Sequence, residues 1–258
     1  EPSLTLLNRY KATHMLCRKK HRKSFFFLLQ QKMFDKGFEN LRWEILDSKE
    51  SDQDPKIIMM YYNNAIESPG YLQPKVQIEI GCRSLREPFK IQKINALVDE
   101  HYPDADFAMP YIEVPTVIPE RTFLEKIFLL HEEFSKPVQN IRVQRLSRHL
   151  YDVYQLSKTD IAFNALTDKK LYETIVNHRH QFTRISGVDY NLHQPQTLNP
   201  IPPDAIIKAW EADYKTMLTE MIYGDTPSFK VIMKRLIDLK AEINGLNWKM
   251  ESVFSFTR

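Results

Sequence analysis

Apolar and polar positions follow two different rhythms in this chain, and the change comes near residue 119. Before that point the pattern is mostly strand-like. Val76, Ile78 and Ile80 alternate with Lys75, Gln77 and Glu79, which predicts a strand over 75–80 with one apolar and one polar face. Residues 57–62 form an unbroken apolar run between polar turns, which predicts a strand buried on both faces. Residues 41–46 and 111–117 read as two more strands, and 88–100 as a short helix. A long helix is expected over 9–36, ended by Gly37. Asp52-x-Asp54 and Asp104-x-Asp106 lie in polar, proline-flanked stretches and read as turns.

After Pro119 the spacing becomes helical. One helix is expected over 119–134 and another over 141–157. A third starts after Pro203 and stops at Gly224, with Ile206, Trp210, Tyr214, Met217 and Met221 at three- and four-residue spacing. A fourth is expected to start at a Thr226-Pro227 cap and to close at Asn244-Gly245. The proline- and asparagine-rich stretch 187–203 reads as a long loop. The fold class is therefore α/β of the α+β kind, with a mixed α/β domain over 1–118 and a helical C-terminal domain over 119–258.

Composition narrows the class further. With 43% hydrophobic and 27% charged residues, the chain has too much core-forming material to be disordered. Its longest apolar runs fall far short of the ~18 residues a membrane span needs. Two cysteines, Cys17 and Cys82, are too few for a disulfide framework and fit a reducing compartment such as the cytoplasm. The net charge of +3 conceals an asymmetry. Residues 9–36 hold nine basic side chains, among them Arg18, Lys19, Lys20, Arg22 and Lys23, against Asp35 alone, so this segment is +8 and the remainder −5. Such a block suits phosphates, whether of RNA or of a nucleotide, and equally suits a solvated helix face.

Three places are candidates for chemistry. On the helix at 119–134 the apolar stripe is Phe123, Ile127, Leu130 and Phe134, and Lys126 lies in or beside it. A lysine there either snorkels or meets an anion such as phosphate. On the next helix Arg145, Arg148, His149 and Asp152 fall at i, i+3, i+4 and i+7 and are expected to share a face. That face is either a solvated polar surface or an anion site in which Asp152 positions a hydroxyl or a cation. Glu79 sits mid-strand, where a carboxylate meets metal, a basic partner or simply water. P-loop and dinucleotide glycine motifs, CxxC, HExxH and GxSxG are all missing, which removes those enzyme classes. His178 and His180 lack a third ligand nearby in sequence.

Four phrases carry a family resemblance. Glu120-Arg121-Thr122-Phe123-Leu124-Glu125-Lys126-Ile127 with Leu130-His131, and Arg145-Leu146-Ser147-Arg148-His149-Leu150-Tyr151-Asp152-Val153-Tyr154, resemble two segments of the AbiEii/AbiGii toxin family of nucleotidyltransferases. Pro74-Lys75-Val76-Gln77-Ile78-Glu79-Ile80-Gly81-Cys82-Arg83-Ser84 is similar to that family's strand. Asp213-Tyr214, Met217, Met221-Ile222-Tyr223-Gly224 and Pro227-Ser228-Phe229 are similar to its C-terminal segment. The phrases occur in the family's order over about residues 70–244.

The resemblance implies a polymerase-β-like nucleotidyltransferase fold with a mixed sheet and a helical C-terminal half. It implies a toxin of a toxin–antitoxin or abortive-infection (phage-defence) pair, with an antitoxin as partner. The toxin would move a nucleotide from a nucleoside triphosphate to an acceptor, with tRNA among the acceptors and Mg²⁺ or Mn²⁺ as cofactor. Lys126 and Asp152 would be its catalytic lysine and aspartate, and Glu79 would stand near the metal. Arg83, Arg145 and Arg148 would hold the nucleotide, and Arg18, Lys19, Lys20, Arg22 and Lys23 would follow RNA. The family's early glycine-rich turn with its paired aspartates has no counterpart here, because the chain contains neither Gly-Gly nor Gly-Ser. The chain is therefore expected to lack a first strand–turn–strand region and to be inactive alone. The alternative is a catalytically inactive module that binds RNA or the antitoxin.

Overall fold

A computed structural model of the chain describes residues 19–37, 41–46, 56–64, 67, 74–80, 88–183, 185–222 and 224–255. The chain divides into two compact units, Glu1–Ser84 and Leu85–Arg258. Residue 119, where the pattern turns helical, lies inside the second unit.

The first unit holds helix α1 (Lys19–Phe34) and strands β1 (Arg42–Leu46), β2 (Lys56–Tyr61) and β3 (Lys75–Ile80). The three strands form an antiparallel sheet with β2 in the middle. Consecutive residues Ile58, Met59 and Met60 are all buried, so β2 is covered on both faces, as its unbroken apolar run implies. Tyr61 donates to Glu44 at 2.9 Å, and the Arg42 guanidinium lies 3.9 Å above the Tyr61 ring, which ties β1 to β2 on one face.

The second unit begins with the antiparallel pair β4 (Phe89–Ile94) and β5 (Ile112–Val117), joined through the short helix α2 (Leu97–His101). The helix expected over 88–100 is thus confined to its end. Residues 89–94 are β because β5 supplies their ladder partner, Phe89 opposite Val117, from well outside any local window.

Helices α3 (Pro119–Phe134), α4 (Ser147–Leu156), α5 (Asp160–Thr167), α6 (Lys169–His178), α7 (Ile207–Met221) and α8 (Phe229–Asn244) make the rest. Pro119 opens α3 at a position where its missing N–H costs nothing. Phe123, Leu124, Ile127, Phe128 and Leu130 of α3 are fully buried, so this helix is the centre of the core. Apolar periodicity does not mark helices α5 and α6. Thr159 and Asp168 cap them, accepting from the N–H groups of Ile161 and Leu171. At α8 the cap is Ser228 and not Thr226, and the Pro227 carbonyl that precedes it accepts from Tyr214 at 2.7 Å.

The stretch 187–203 is a loop only in part. It contains two 3-10 turns (Tyr190–His193 and Pro195–Thr197), and Val188, Tyr190, His193 and Leu198 are buried in the core. Its amide side chains bind the backbone of the C-terminal segment. Asn191 exchanges two hydrogen bonds with Phe254, and Gln194 two with Met250. These satisfy main-chain groups that have no ladder of their own.

One buried ionic cluster braces the core. Glu132 of α3 is completely buried and accepts both forks of the Arg179 guanidinium, one of them from Nε at 2.7 Å. His193 Nε2 lies 3.2 Å from the same carboxylate. Burial alone pushes the Glu132 carboxyl up, but the hydrogen bonds from Arg179 and His193 outweigh it and hold the group at about 2. Removing one member of such a pair leaves an uncompensated buried charge. Arg179→Met is expected to cost about 3–5 kcal/mol in urea unfolding; an unchanged midpoint would contradict this role for the pair.

Candidate functional site

Helices α3 and α4 pack directly against each other. Lys126 stands on the flank of α3's apolar stripe, and its side chain keeps a quarter of its surface exposed. Across the seam, α4 presents Asp152 and His149 one turn apart. Lys126 Nζ lies 2.6 Å from Asp152 Oδ2 and 3.3 Å from His149 Nδ1, while His149 Nδ1 is 4.0 Å from the Asp152 carboxylate. The lysine thus does not merely snorkel to solvent. It is held by two acceptors from one helix.

His149 is almost fully buried. Burial, then the cations Lys126 and Arg148, push its ring down to about 4, against the opposing pull of Asp152. At neutral pH the ring carries no charge, and the Asp152 carboxylate alone offsets the lysine. A partly exposed ion pair contributes only ~0.2–1 kcal/mol to stability, so the Lys126–Asp152 contact is a weak fold device. Its effect is to fix an ammonium at the mouth of a seam.

The segment leading into α4 is built by other elements. Residues 141–146 are not helical, contrary to the expectation of a helix from 141. Arg145 has a left-handed backbone (φ +62°), a conformation that disfavours a side chain. Two carboxylates hold the segment in place. Glu133 of α3 accepts from the Arg142 backbone N–H at 2.7 Å and from its guanidinium at 2.8 Å. Asp213 of α7 accepts from the N–H of Arg145 (2.7 Å), the N–H of Ser147 (3.0 Å) and the Ser147 hydroxyl (2.5 Å). Asp213 does from a distance what a local cap residue does elsewhere. It satisfies the first N–H of α4 and the N–H of Arg145 before it, and sets the helix that carries Arg148, His149 and Asp152.

The candidate residues therefore separate. Lys126 and Asp152 meet. Arg148 is exposed at the start of the same helix. Arg145 is exposed too, but it precedes the helix and does not continue its helical face. Glu79 is on β3, opposite Ile57, at an outer strand of the described sheet, and its side chain lies outside the described residues. Arg18 and Arg83 lie outside them as well. Lys19, Lys20, Arg22 and Lys23 are on α1, with side chains outside the described set. His149 and Asp213 carry more of the site than periodicity suggested. The signal for Asp213 was a carboxylate beside the α7 stripe of Trp210, Tyr214 and Met217.

No cluster of three or more His, Cys, Asp or Glu side chains suited to a metal occurs among the described residues. Asp152, the carboxylate at the seam, is already taken by an ammonium, which repels a divalent cation. The donor set described is that of an anion site and does not fit a metal.

The family model for the nucleotidyl transferase AbiEii toxin of type IV toxin–antitoxin systems matches residues 21–235. The chain belongs to this family. The match spans both units, from α1 into α8, and includes Lys126, His149, Asp152 and Asp213. No curated protein and no solved structure matches the chain. The family match bears out the resemblance, and the helices and antiparallel sheets described above bear out the α+β class. The family implies a nucleotide substrate and an antitoxin partner. Among the described residues no helix is long and apolar enough to cross a membrane.

The His149 geometry has a direct spectroscopic consequence. In the folded protein its ring should be the Nε2-protonated tautomer at pH 7 and titrate near pH 4, as read by histidine ¹⁵N shifts. The unfolded chain binds that proton below about 6.5. The unfolded state then holds the extra proton between the two values, so stability falls as pH drops from about 6.5 toward 4. A ring that titrates near 6.5 would contradict the burial and charge balance described.

Proposed function

We propose that this chain binds the triphosphate of a nucleoside triphosphate at the α3–α4 seam and takes part in moving the nucleotide onto an acceptor. The observation that carries the reading is the Lys126 ammonium, held 2.6 Å from Asp152 at the junction of two family segments. Lys126 and the exposed Arg148 supply the positive charge, Arg as a planar fork and Lys as a point charge. Arg145, just before α4, is assigned to the same phosphates.

The reaction is a phosphoryl-group displacement. An acceptor hydroxyl oxygen bonds to the α-phosphorus, the bond from that phosphorus to the bridging oxygen breaks, and pyrophosphate leaves with the electron pair. The hydroxyl proton is released. A divalent cation, Mg²⁺ or Mn²⁺, would neutralise phosphate charge in such chemistry. No step here runs through it. What this chain's described residues supply is a preorganised cation on the phosphates, with Asp152 keeping that cation in place. A contact of this type is worth ~2.7–4 kcal/mol at a transition state.

RNA is the proposed acceptor class, with tRNA as its first candidate, and the +8 segment over 9–36 supports it. Affinity for RNA should fall steeply with salt if Arg18, Lys19, Lys20, Arg22 and Lys23 follow the backbone. Cytoplasmic location follows from this substrate.

The test is transfer of α-phosphate label from each nucleoside triphosphate to tRNA in the presence of Mg²⁺. Joined to the family's glycine-rich segment, the chain should label RNA with one or more nucleotides, and Lys126→Ala in that protein should lower the rate about 10²–10³-fold. Equal labelling by Lys126→Ala would overturn the role of the lysine. No labelling by the unmutated protein even with that segment joined, with retained salt-sensitive RNA binding, would replace the enzyme reading with that of an RNA-binding module.

A further inference from the structure

We propose that His149 is a positioning residue for Lys126, a neutral acceptor that aims the ammonium without cancelling its charge. The inference rests on the reading of Lys126 as the phosphate-holding residue. An ammonium has three N–H donors and no acceptor. The contact of Lys126 Nζ with His149 Nδ1, at 3.3 Å, is therefore a hydrogen bond only when Nδ1 is unprotonated and accepts. The Asp152 carboxylate, at 2.6 Å, takes a second donor.

His149 and Asp152 lie three residues apart on α4, so both acceptors belong to one rigid element. Two fixed acceptors define where Nζ sits and leave one N–H for a ligand. The choice of acceptors also sets the charge. Asp152 brings one negative charge against the lysine's positive one. A second carboxylate at 149 would make the cluster net negative and repel a triphosphate. The imidazole supplies the second hydrogen bond at no cost in charge, and its burial keeps it from becoming a third cation beside Lys126 and Arg148. Arg142 and Asp152 are the other charged groups that bear on it.

The same geometry says which side chains can stand in. Asn at 149 places its Oδ1 close to the position of His Nδ1 and accepts without charge. Phe fills the ring's volume and accepts nothing.

The experiment is calorimetric titration of the whole chain with inorganic pyrophosphate at pH 7.5, with thermal melting of each variant as a control for folding. Lys126→Met should abolish binding. His149→Phe should weaken it about tenfold or more, and His149→Asn should stay within about threefold of the unmutated chain. Should His149→Phe fail to fold, the unmutated chain gives a separate readout. Its His149 Nδ1 must remain unprotonated when pyrophosphate is added, as seen in histidine ¹⁵N shifts. Unweakened binding by His149→Phe alongside loss in Lys126→Met would overturn the positioning role alone, as would a switch to the Nδ1-protonated form. Unweakened binding by Lys126→Met would show that the lysine holds no phosphate, and both this inference and the reading beneath it would fall.

Discussion

The burial of α3 is the constraint on which the second unit depends. Most of this helix is inside the core, yet it carries Arg121, Glu125, Lys126, His131, Glu132 and Glu133. A buried polar group is tolerable only when paired. Lys126, His131, Glu132 and Glu133 therefore act as fixed points to which other parts of the chain are tied. Glu132 binds Arg179 just past the end of α6, where the helix widens into a π turn. Glu133 binds Arg142 in the segment before α4, and His131 accepts the backbone N–H of Asn199. Arg121 pairs with Glu125 within the helix. Lys126, like Glu125, reaches the surface, and its partners come from the helix that carries the other candidate residues.

The order of cause runs from core to site. Packing of Phe123, Ile127 and Leu130 fixes the rotation of α3 and hence where Lys126 emerges. Glu133 and Asp213 then hold the 141–146 segment, including the left-handed Arg145, and so fix where α4 begins. One residue of slip in α4 would turn His149 and Asp152 by ~100° away from the lysine. The precision of the Lys126–Asp152–His149 cluster is therefore set by carboxylates that never touch it.

Much of the site was legible in the sequence because helical spacing is local. The α3 stripe, the placement of Lys126 at its flank, and the three-residue step from His149 to Asp152 all follow from periodicity. The left-handed Arg145 was not legible, since the groups that stabilise it belong to α3 and α7. The same holds for β4, whose strand character comes from β5, and for the 187–203 stretch, whose prolines and asparagines read as loop while Tyr190, His193 and Leu198 go into the core. Helices α5 and α6 are a different case. Their cap residues Thr159 and Asp168 were present in the sequence, but the apolar pattern between them was too short to stand out. The family phrases supplied what periodicity lacked, the expectation that Lys126 and Asp152 act together, and their contact is the feature the fold delivers most directly.

The central claim is that the ammonium between Asp152 and His149 faces a phosphate. The most direct measurement is a crystal structure of the chain with a non-hydrolysable nucleoside triphosphate and Mg²⁺. A phosphate oxygen about 3 Å from Lys126 Nζ, with the Asp152 contact retained, is the result this account predicts. A triphosphate bound elsewhere, with Lys126 Nζ still facing solvent, would contradict it.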